Sequence, residues 1–213
     1  MMRVGAIPEI SIRRLCQIFR LLDSLRESGR EIIFSDEIGE KAGMPSYQVR
    51  KDISYLGVVG KPGRGYNVQE LLEHIQSSLN LCTKCKAVIV GVGRLGSALL
   101  NYANLAKANF EYIAAFDSDS RKKGKTEGGT QVLSSEDMSA FLNQHSVDIG
   151  VITVPQEEAQ NAADSLIEGG ITAILNFAPV PLKSPENVVV RCIDFSLELN
   201  ILTALRSLSC KKK

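Results

Sequence analysis

The first eighty residues place their apolar side chains at helical spacing. Between Ile10 and Leu25 apolar positions recur every three to five residues, with arginines on the other faces, which predicts an amphipathic helix. A second, short helix is predicted to begin at Ser35, whose hydroxyl can cap it, and to end at Gly43. A third helix is predicted over Ser46–Leu56. The second and third helices, joined by a short turn that contains glycine, make a helix-turn-helix.

Two more elements complete this domain. Residues 58–68 have two short β-type ends around a tip rich in glycine and proline, which predicts a hairpin. A hairpin that directly follows the third helix is a wing. A linking helix is predicted over Gln69–Leu79, so the sequence predicts a winged helix-turn-helix domain over residues 1–80.

The periodicity changes after residue 80, where short apolar segments alternate with helical stretches. The predicted strands are Ala87–Val90, Tyr112–Phe116, Gln131–Leu133, Ile149–Val154, Ala173–Asn176 and Val188–Arg191. The predicted helices between them are Leu95–Ala106, Glu136–Gln144 and Glu157–Glu168. Nearly continuous apolar strands that alternate with helices are typical of a parallel sheet covered on both faces. The predicted fold class is therefore α/β, with this second domain over residues 81–193.

A glycine-rich turn follows the first strand of the second domain and opens its first helix. The turn has the sequence Gly91-Val92-Gly93-Arg94-Leu95-Gly96. In this pattern the first glycine permits a tight turn, the second lets a pyrophosphate approach, and the third allows close packing of helix on strand. Asp117 ends the next strand, where a carboxylate binds ribose hydroxyls and repels a 2′-phosphate. The pattern predicts a Rossmann-type domain that binds NAD; a turn without phosphate, with Asp117 as a helix cap, is the alternative.

Other polar residues do not complete a catalytic site. His74 and His145 are predicted at the surface, away from a nicotinamide. Tyr47 and Lys51 have the spacing of a dehydrogenase pair but lie in the helix-turn-helix. The basic run 121–123 is interpreted as a solvated loop in preference to a 2′-phosphate site. Cys82 and Cys85 have redox-motif spacing, yet no second pair or nearby histidine completes a metal site, so no metal is predicted.

The basic residues of the third helix are suited to DNA. Arg50 and Lys51, with Gln48 one turn away, are side chains that contact base edges or neutralise phosphates in a major groove. Arg64, at the tip of the wing, suits a minor groove. Residues 1–66 carry eleven cations and eight anions, a modest excess, so placement and not total charge supports DNA binding. A DNA-binding helix and a dinucleotide turn in one chain indicate a ligand-gated regulator.

The last predicted helix, Asp194–Leu208, carries an apolar stripe and belongs to a C-terminal segment over residues 194–213. Its apolar residues are Leu197, Ile201, Leu202, Leu205 and Leu208. Two interpretations stay open from the pattern: the helix caps the sheet of its own subunit, or it forms a dimer contact. The three lysines that follow are interpreted as a solvated tail.

Composition excludes several classes of protein. Hydrophobic residues at 44% and charged residues at 23% are close to the globular average. No apolar stretch approaches the roughly 18 to 20 residues of a membrane-spanning helix, and the N-terminal residues lack the pattern of an export signal, which predicts a cytoplasmic protein. The five cysteines are odd in number and mostly far apart, so reduced thiols are expected.

Taken together, eight ordered segments resemble the Rex family of redox-sensing transcriptional repressors over nearly the whole chain. These segments are Ile7-Pro8 with Arg14-Leu15, Gln48–Tyr55, Gly63–Val68, Gly91–Gly96, Phe116–Asp119, Ile149–Pro155, Asn176–Pro179 and Ile193-Asp194. The resemblance implies a homodimer whose C-terminal helix is swapped onto the partner. It also implies NADH and NAD⁺ as ligands and a palindromic operator in double-stranded DNA, which the dimer leaves when NADH binds.

The resemblance also implies roles for individual residues. Those expected at the DNA are Ser46, Tyr47, Gln48, Arg50, Lys51, Lys61, Arg64 and Tyr66. Those expected at the nucleotide are Gly91, Val92, Gly93, Arg94, Leu95, Gly96, Asp117, Ser118, Thr153, Val154, Pro155, Asn176, Phe177, Ala178, Asp194 and Phe195, the last near the nicotinamide of the partner subunit. A network of Arg14, Tyr102 and Asp194 would link the winged helix, the Rossmann helix and the partner's swapped helix.

One position departs from the family, which usually carries Asn where Arg94 stands. A cation beside the pyrophosphate would strengthen dinucleotide binding in general and weaken discrimination between its oxidised and reduced forms. Two other functions stay open: a winged-helix regulator that senses another nucleotide, such as acyl-CoA or NADPH, and a nicotinamide-dependent oxidoreductase with an appended helical domain.

Overall fold

The computed structural model describes residues 7–58, 63–81, 83–102 and 109–210. The chain divides into two compact units, Met1–Thr83 and Lys84–Lys213. Within the described ranges, no helix combines the length and the apolar character that crossing a bilayer requires.

The described residues of the first unit contain four helices. They are α1 (Glu9–Glu27), α2 (Ser35–Ala42), α3 (Ser46–Ser54) and α4 (Val68–Ser78). Two short strands, β1 (Ile32–Ile33) and β2 (Tyr66–Asn67), pair antiparallel. Isoleucine, leucine and valine side chains from all four helices and β1 form one buried core. The helix-turn-helix and the linking helix predicted from the apolar spacing are confirmed.

Three details of this unit differ from the sequence prediction. Phe34, not Ser35, occupies the N-cap position of α2, and no side chain caps this helix end; the Ser35 hydroxyl instead accepts a hydrogen bond from Arg50 Nη1 at 2.9 Å. The third helix ends at Ser54, because bonds of the i to i−3 type tighten the chain toward Gly57. The second arm of the predicted wing, β2, pairs with β1, for which the pattern predicted no strand. Residues 59–62 of the wing, Lys61 included, lie outside the described residues.

The second unit alternates strands and helices. Its strands are β3 (Cys85–Val90), β4 (Phe110–Asp117), β5 (Thr126–Glu127), β6 (Thr130–Ser134), β7 (Ile149–Ile152), β8 (Ala173–Asn176) and β9 (Val189–Cys192). The helices in its described part are α5 (Arg94–Leu100), α6 (Met138–Gln144), α7 (Gln156–Glu168) and α8 (Phe195–Cys210), with 3₁₀ turns at Ser120–Lys122 and Ser135–Asp137. All six predicted strands are present, and β5 is an element that the pattern did not predict.

The seven strands form one sheet in the order β5-β6-β4-β3-β7-β8-β9, in which every pair is parallel except β5 with β6. From β3 the chain winds first to one side, through β4 and β6, and then to the other, through β7, β8 and β9. Ligands bind doubly wound sheets at the carboxyl ends of the strands where this direction reverses. Val90 of β3 lies opposite Phe116 of β4 and Ile152 of β7, so these strand ends share one edge.

Two helices differ from their predictions. Helix α5 ends at Leu100, whereas the spacing predicts a helix to Ala106; residues 103–106 are outside the described part. The stripe of α8 is exposed, with 44% of Ile201 and 63% of Leu202 and Leu208 accessible. A helix that covered its own sheet would bury these side chains, so the interpretation of α8 as a cap on the sheet of its own subunit is wrong.

Candidate nucleotide and DNA sites

The glycine turn after β3 is closed on one side and open on the other. Gly91 has φ +97°, and a Cβ there would lie 2.8 Å from Val154 Cγ1. A Cβ at Gly96 would overlap the carbonyl oxygen of Gly91. A Cβ at Gly93 would meet no described heavy atom within 4 Å. Glycine is therefore required where the turn packs on the strand ends, and the Gly93 side has room for a phosphate.

Thr153, directly after β7, is hydrogen-bonded to this turn. Its hydroxyl donates a hydrogen bond to the Gly91 carbonyl oxygen at 2.6 Å, and its backbone N–H donates to Val90 O at 2.9 Å. Thr153 was predicted as a lining residue of the nicotinamide side; the structure adds that its hydroxyl positions the turn. Arg94 and Leu95, next in the turn, are exposed.

Asp117 lies at the end of β4 and holds the turn from the other side. Its Oδ2 accepts the N–H of Val92 at 2.7 Å and Lys122 Nζ at 2.8 Å, and its Oδ1 accepts the N–H of Asp119 at 2.8 Å. Burial by itself raises the pKa of Asp117, but these hydrogen bonds and the charge of Lys122 outweigh it, so that pKa lies below its ordinary value. A carboxylate has about four lone-pair sites, so capacity for a further donor, such as a ribose hydroxyl, is left.

The low pKa of Asp117 predicts an acid-sensitive contribution to stability. An acid whose pKa is lower in the folded chain than its ordinary 3.8 stabilises the fold above that pH, and the contribution is lost as the pH falls through the folded pKa. We expect Asp117→Asn to flatten the acid limb of the stability curve, measured by urea unfolding between pH 7 and pH 3. An acid limb of unchanged steepness in Asp117→Asn would contradict this assignment.

The basic run beyond β4 is exposed at Arg121 and Lys123, as predicted, and each of its cations pairs with a carboxylate. The three pairs are Arg121 with Asp119 at 2.9 Å, Lys122 with Asp117 at 2.8 Å, and Lys123 with Asp137 at 2.9 Å. Cations already paired in this way are poorly suited to a 2′-phosphate, which agrees with the interpretation of this run as a surface loop.

Asn176 closes the loop after β8. The side chain is fully buried; its Nδ2 donates to Ala178 O at 3.1 Å and Val180 O at 2.9 Å, and its Oδ1 accepts the N–H of Ala178 at 2.9 Å. The half-buried Phe177 lies in this loop at the same sheet edge as the glycine turn. Asn176 therefore shapes the loop, and a ligand could take a hydrogen bond from its Nδ2 only if one of the bonds to Ala178 O or Val180 O were broken.

A buried ion pair joins α1 to α3 in the first unit. Asp52 is inaccessible to solvent, and Arg14 reaches it through Nε at 2.5 Å to Oδ2 and Nη2 at 2.8 Å to Oδ1. Gln48 Nε2 also donates to Oδ1, at 3.0 Å. Burial by itself raises the pKa of Asp52, but the bonds from Arg14, Ser11 and Gln48 and the charge of Arg14 outweigh it and leave that pKa lowered.

The residues predicted at DNA differ in exposure. Tyr47, Arg50, Lys51 and Arg64 are exposed, whereas Ser46, Gln48 and Tyr66 are half-buried. Arg50 and Lys51 occupy the outer side of α3, where neither side chain forms an ion pair with a described carboxylate. They are therefore available to a polyanion.

Asp194 directly precedes α8 and caps it. Its Oδ1 accepts the backbone N–H groups of Ser196 at 2.9 Å and Leu197 at 3.1 Å. The next residue, Phe195, is 74% exposed, and Tyr102 of the predicted network is 54% exposed. Capping is a role for Asp194 that the sequence analysis did not identify.

The two histidines lie at the surface, and Cys85 is half-buried. His74 and His145 are both exposed, as predicted, and His145 stacks on Phe141. Cys82 is outside the described residues. Cys85 begins β3 half-buried, and burial, then the charge of Asp148, raises the pKa of its thiol, which disfavours a reactive thiolate.

Asp52 is a buried, ion-paired residue that sequence reasoning missed. It stands three residues after Val49 and directly before Ile53, on the buried face of α3. A charge at a core position needs a buried partner. An acidic residue on the apolar face of the predicted third helix was therefore the signal that could have identified Asp52. Its partner Arg14 lies beside Leu15, a core position of α1.

Both units are similar to known proteins. A family model described as "CoA binding domain" matches residues 83–180, and one described as "Putative DNA-binding protein N-terminus" matches residues 6–54. The redox-sensing transcriptional repressor Rex of Desulforamulus reducens is 40% identical over 202 residues, covering 95% of this chain and 96% of the relative. The protein of the same name from Carboxydothermus hydrogenoformans is 40% identical, covering 92% of this chain and 95% of the relative.

Solved structures agree over the full length. The crystal structure of RSP in complex with β-NAD⁺ and operator DNA matches with a TM-score of 0.90 and 32% identity, covering 98% of this chain and 96% of that one. The complex of RSP with β-NADH matches with a TM-score of 0.86 and 31% identity, covering 98% of this chain and all of that one.

Proposed function

Because this chain belongs to the Rex family of redox-sensing transcriptional repressors, we propose that it is a repressor that binds operator DNA when NADH is scarce and is released when NADH binds. The observation that carries the proposal is the glycine turn at the reversal point of the sheet, open at Gly93, in a chain whose α3 exposes Arg50 and Lys51. A repressor acts where the chromosome is, in the cytoplasm.

We assign the nucleotide to the carboxyl edge of β3, β4, β7 and β8. The pyrophosphate would lie at Gly93, the adenosine ribose at the remaining acceptor site of Asp117, and the nicotinamide beside Thr153 and Phe177. Val92 is buried with its N–H bonded to Asp117, so it supports the turn from inside. The cofactor would supply the redox signal, and the glycine turn with the strand ends beside it would form its binding site.

We infer that binding is not followed by chemistry. Hydride transfer to a hydroxy or carbonyl substrate needs a positioned acid or base. Both histidines are exposed: His74 lies on α4 of the first unit, and His145 directly follows α6. Tyr47 and Lys51 lie on α3, in the other unit. No turnover of NADH is expected with alcohol, aldehyde or hydroxy-acid substrates, and measurable turnover would favour the oxidoreductase alternative.

We assign α8 to the contact between two copies of the chain. Its apolar side chains, Phe195, Leu197, Leu199, Ile201, Leu202, Leu205 and Leu208, are 44% to 74% exposed in one copy. An apolar surface of this extent is typical of a protein interface, and a homodimer presents two α3 helices to the two halves of a palindrome. The resemblance implies that this helix is swapped onto the partner.

Fluorescence anisotropy of a labelled palindromic operator, at fixed salt because phosphate contacts dominate affinity, tests the function. NADH is expected to release the operator, and excess NAD⁺ is expected to oppose that release. By linkage, saturating operator must weaken NADH binding by the same factor. Tight operator binding that neither nucleotide changes would refute redox sensing while leaving the repressor in place.

The family model described as "CoA binding domain" makes a second ligand worth testing in the same assay. Acyl-CoA and NADPH are titrated against the operator complex alongside NADH. We expect NADH to act at the lowest concentration, since the Asp117 carboxylate disfavours a phosphate on the adenosine ribose, whether the 2′-phosphate of NADPH or the 3′-phosphate of coenzyme A. Release by acyl-CoA at lower concentration than NADH would replace the redox sensor with a sensor of another nucleotide.

Asp194 offers a test of coupling between NADH and DNA release. The oxidised nicotinamide ring carries a positive charge, which a nearby carboxylate can stabilise. The reduced ring is neutral. Asp194→Asn removes the charge but keeps an oxygen that can cap α8, whereas Asp194→Ala removes both. We expect NADH to release the operator from the wild type but no longer from Asp194→Asn, with thermal stability unchanged. Normal release from Asp194→Asn would exclude Asp194 from the network.

A further inference from the structure

The side-chain amide of Gln48 has a fixed orientation. Gln48 and Asp52 stand one turn apart on α3, with 3.0 Å between Gln48 Nε2 and Asp52 Oδ1. An ionised carboxylate accepts hydrogen bonds and cannot donate them, so the amide atom that touches it must be the NH₂ group. The amide cannot flip without placing its carbonyl oxygen against a carboxylate oxygen. The negative charge of Asp52 therefore determines which end of the amide faces it.

Asp52 is itself immobilised, so it can hold Gln48 firmly. Arg14 binds both of its oxygens, and Arg14 Nη2 also donates to Ser11 Oγ at 3.1 Å. The carboxylate is fully buried, and its rotation would break the bonds to Arg14 and Gln48 together. Gln48 is half-buried and lies in the first turn of α3, the part of such a helix that contacts base edges.

We propose that Asp52 is a specificity-determining residue that acts through Gln48: by holding the amide nitrogen, it leaves the Gln48 carbonyl oxygen to accept a hydrogen bond from a base. This inference rests on the proposed DNA-binding function. In the major groove only adenine N6 and cytosine N4 offer a donor, whereas guanine and thymine present acceptors. The second hydrogen on Gln48 Nε2 suits adenine N7. Adenine is thus the base selected at this position, followed by cytosine.

Operator variants with each of the four bases at every half-site position test this proposal. Wild-type affinities are compared with those of Gln48→Met, which keeps the side-chain length and removes both polar atoms. At one position Gln48→Met is expected to abolish a preference of about 5- to 100-fold, and the wild type is expected to prefer adenine or cytosine there. A wild-type preference for guanine or thymine at that position, or no position affected, would overturn the proposal.

Gln69 supplies a matched control on α4. Its Nε2 donates to Glu73 Oε1 at 2.6 Å, the same pairing of glutamine with a carboxylate one turn on, in an exposed place on another helix. Gln69→Met is expected to leave the base preference at every position unchanged. Failure of the wild type to bind any operator would count against the proposed function, whereas a wrong base at the Gln48 position counts against this inference alone.

Asp52→Asn tests the part played by Asp52. An asparagine amide can pair with Gln48 in either orientation, so the preference at the Gln48 position is expected to flatten or move toward guanine or thymine, with other positions unchanged. An unaltered adenine preference in Asp52→Asn would overturn the role of Asp52. If melting shows that Asp52→Asn does not fold, the base preference lost in Gln48→Met still decides whether Gln48 acts as an acceptor.

Discussion

Replacing Arg14 by methionine is expected to lower the free energy of unfolding of the winged-helix unit by about 3–5 kcal/mol, the usual effect of removing one partner of a buried ion pair. The substitution leaves the inaccessible carboxylate of Asp52 with Gln48 and Ser11 but without its cation. Such a group must either stay charged in an apolar core or take up a proton. Both outcomes destabilise the contact between α1 and α3.

Segment-resolved hydrogen exchange on the full chain measures this effect separately in each unit. We expect faster exchange in α1 and α3 and unchanged exchange in the strands of the second unit. The double variant Arg14→Met with Asp52→Leu should recover much of the loss, because removing both charges avoids an unpaired one. Two results would show that the pair is not isolated from water. One is a loss of less than about 1 kcal/mol in the free energy of unfolding of Arg14→Met, and the other is a double variant that is less stable than Arg14→Met alone.

An exposed ion pair on α1 provides the control for Arg14. Arg26 Nη2 lies 2.6 Å from Asp23 Oδ1, and both side chains are more than a third exposed. Exposed pairs contribute roughly 0 to 1 kcal/mol. Arg26→Met is therefore expected to leave hydrogen exchange in α1 nearly unchanged, which separates the effect of burial from that of losing an arginine.

Gly96→Ala is expected to destabilise the second unit by about 3 kcal/mol, the upper part of the range for overpacking. The added methyl would overlap the carbonyl oxygen of Gly91, to which the Thr153 hydroxyl also donates. Neither partner is the free end of a flexible side chain, so the turn itself must move. NADH binding, measured by calorimetry, is expected to weaken by roughly 100-fold, or two factors of ten at about 1.4 kcal/mol each, because the displaced turn no longer presents its N–H groups to the pyrophosphate.

Gly93→Ala separates the turn's packing from its contact with the nucleotide. Gly93 has φ −78°, which any residue adopts, and a methyl there meets no described heavy atom within 4 Å. Stability without nucleotide should stay equal or rise slightly, because alanine restricts the unfolded chain. NADH affinity, measured by calorimetry, should nevertheless fall. Wild-type NADH affinity in Gly93→Ala would mean that the phosphate does not approach on this side.

Local patterns predicted most of the scaffold. Strand β8 has the bounds that the apolar run predicts, and the glycine turn lies between a strand and a helix as its sequence indicates. These features depend on neighbours within a few residues, so spacing and turn chemistry are enough to identify them. The pairing of β1 with β2 was not predicted, because Ile32–Ile33 meets Tyr66–Asn67 only after α2 and α3 have folded between them.

The sequence by itself determined the two-domain order, the parallel sheet, the glycine turn with Asp117 after it, and a basic third helix. The tertiary structure decided what individual polar groups do. Asp52 is buried against Arg14, Thr153 fastens the turn, Asn176 closes a loop and Asp194 caps α8. Asn176 and Asp194 bond backbone groups within four residues of themselves, but Asp52 meets Arg14 from 38 residues away and Thr153 meets Gly91 from 62 residues away. Apolar periodicity is local and additive, whereas the partner of a polar group is set by distances that only the folded chain brings within reach.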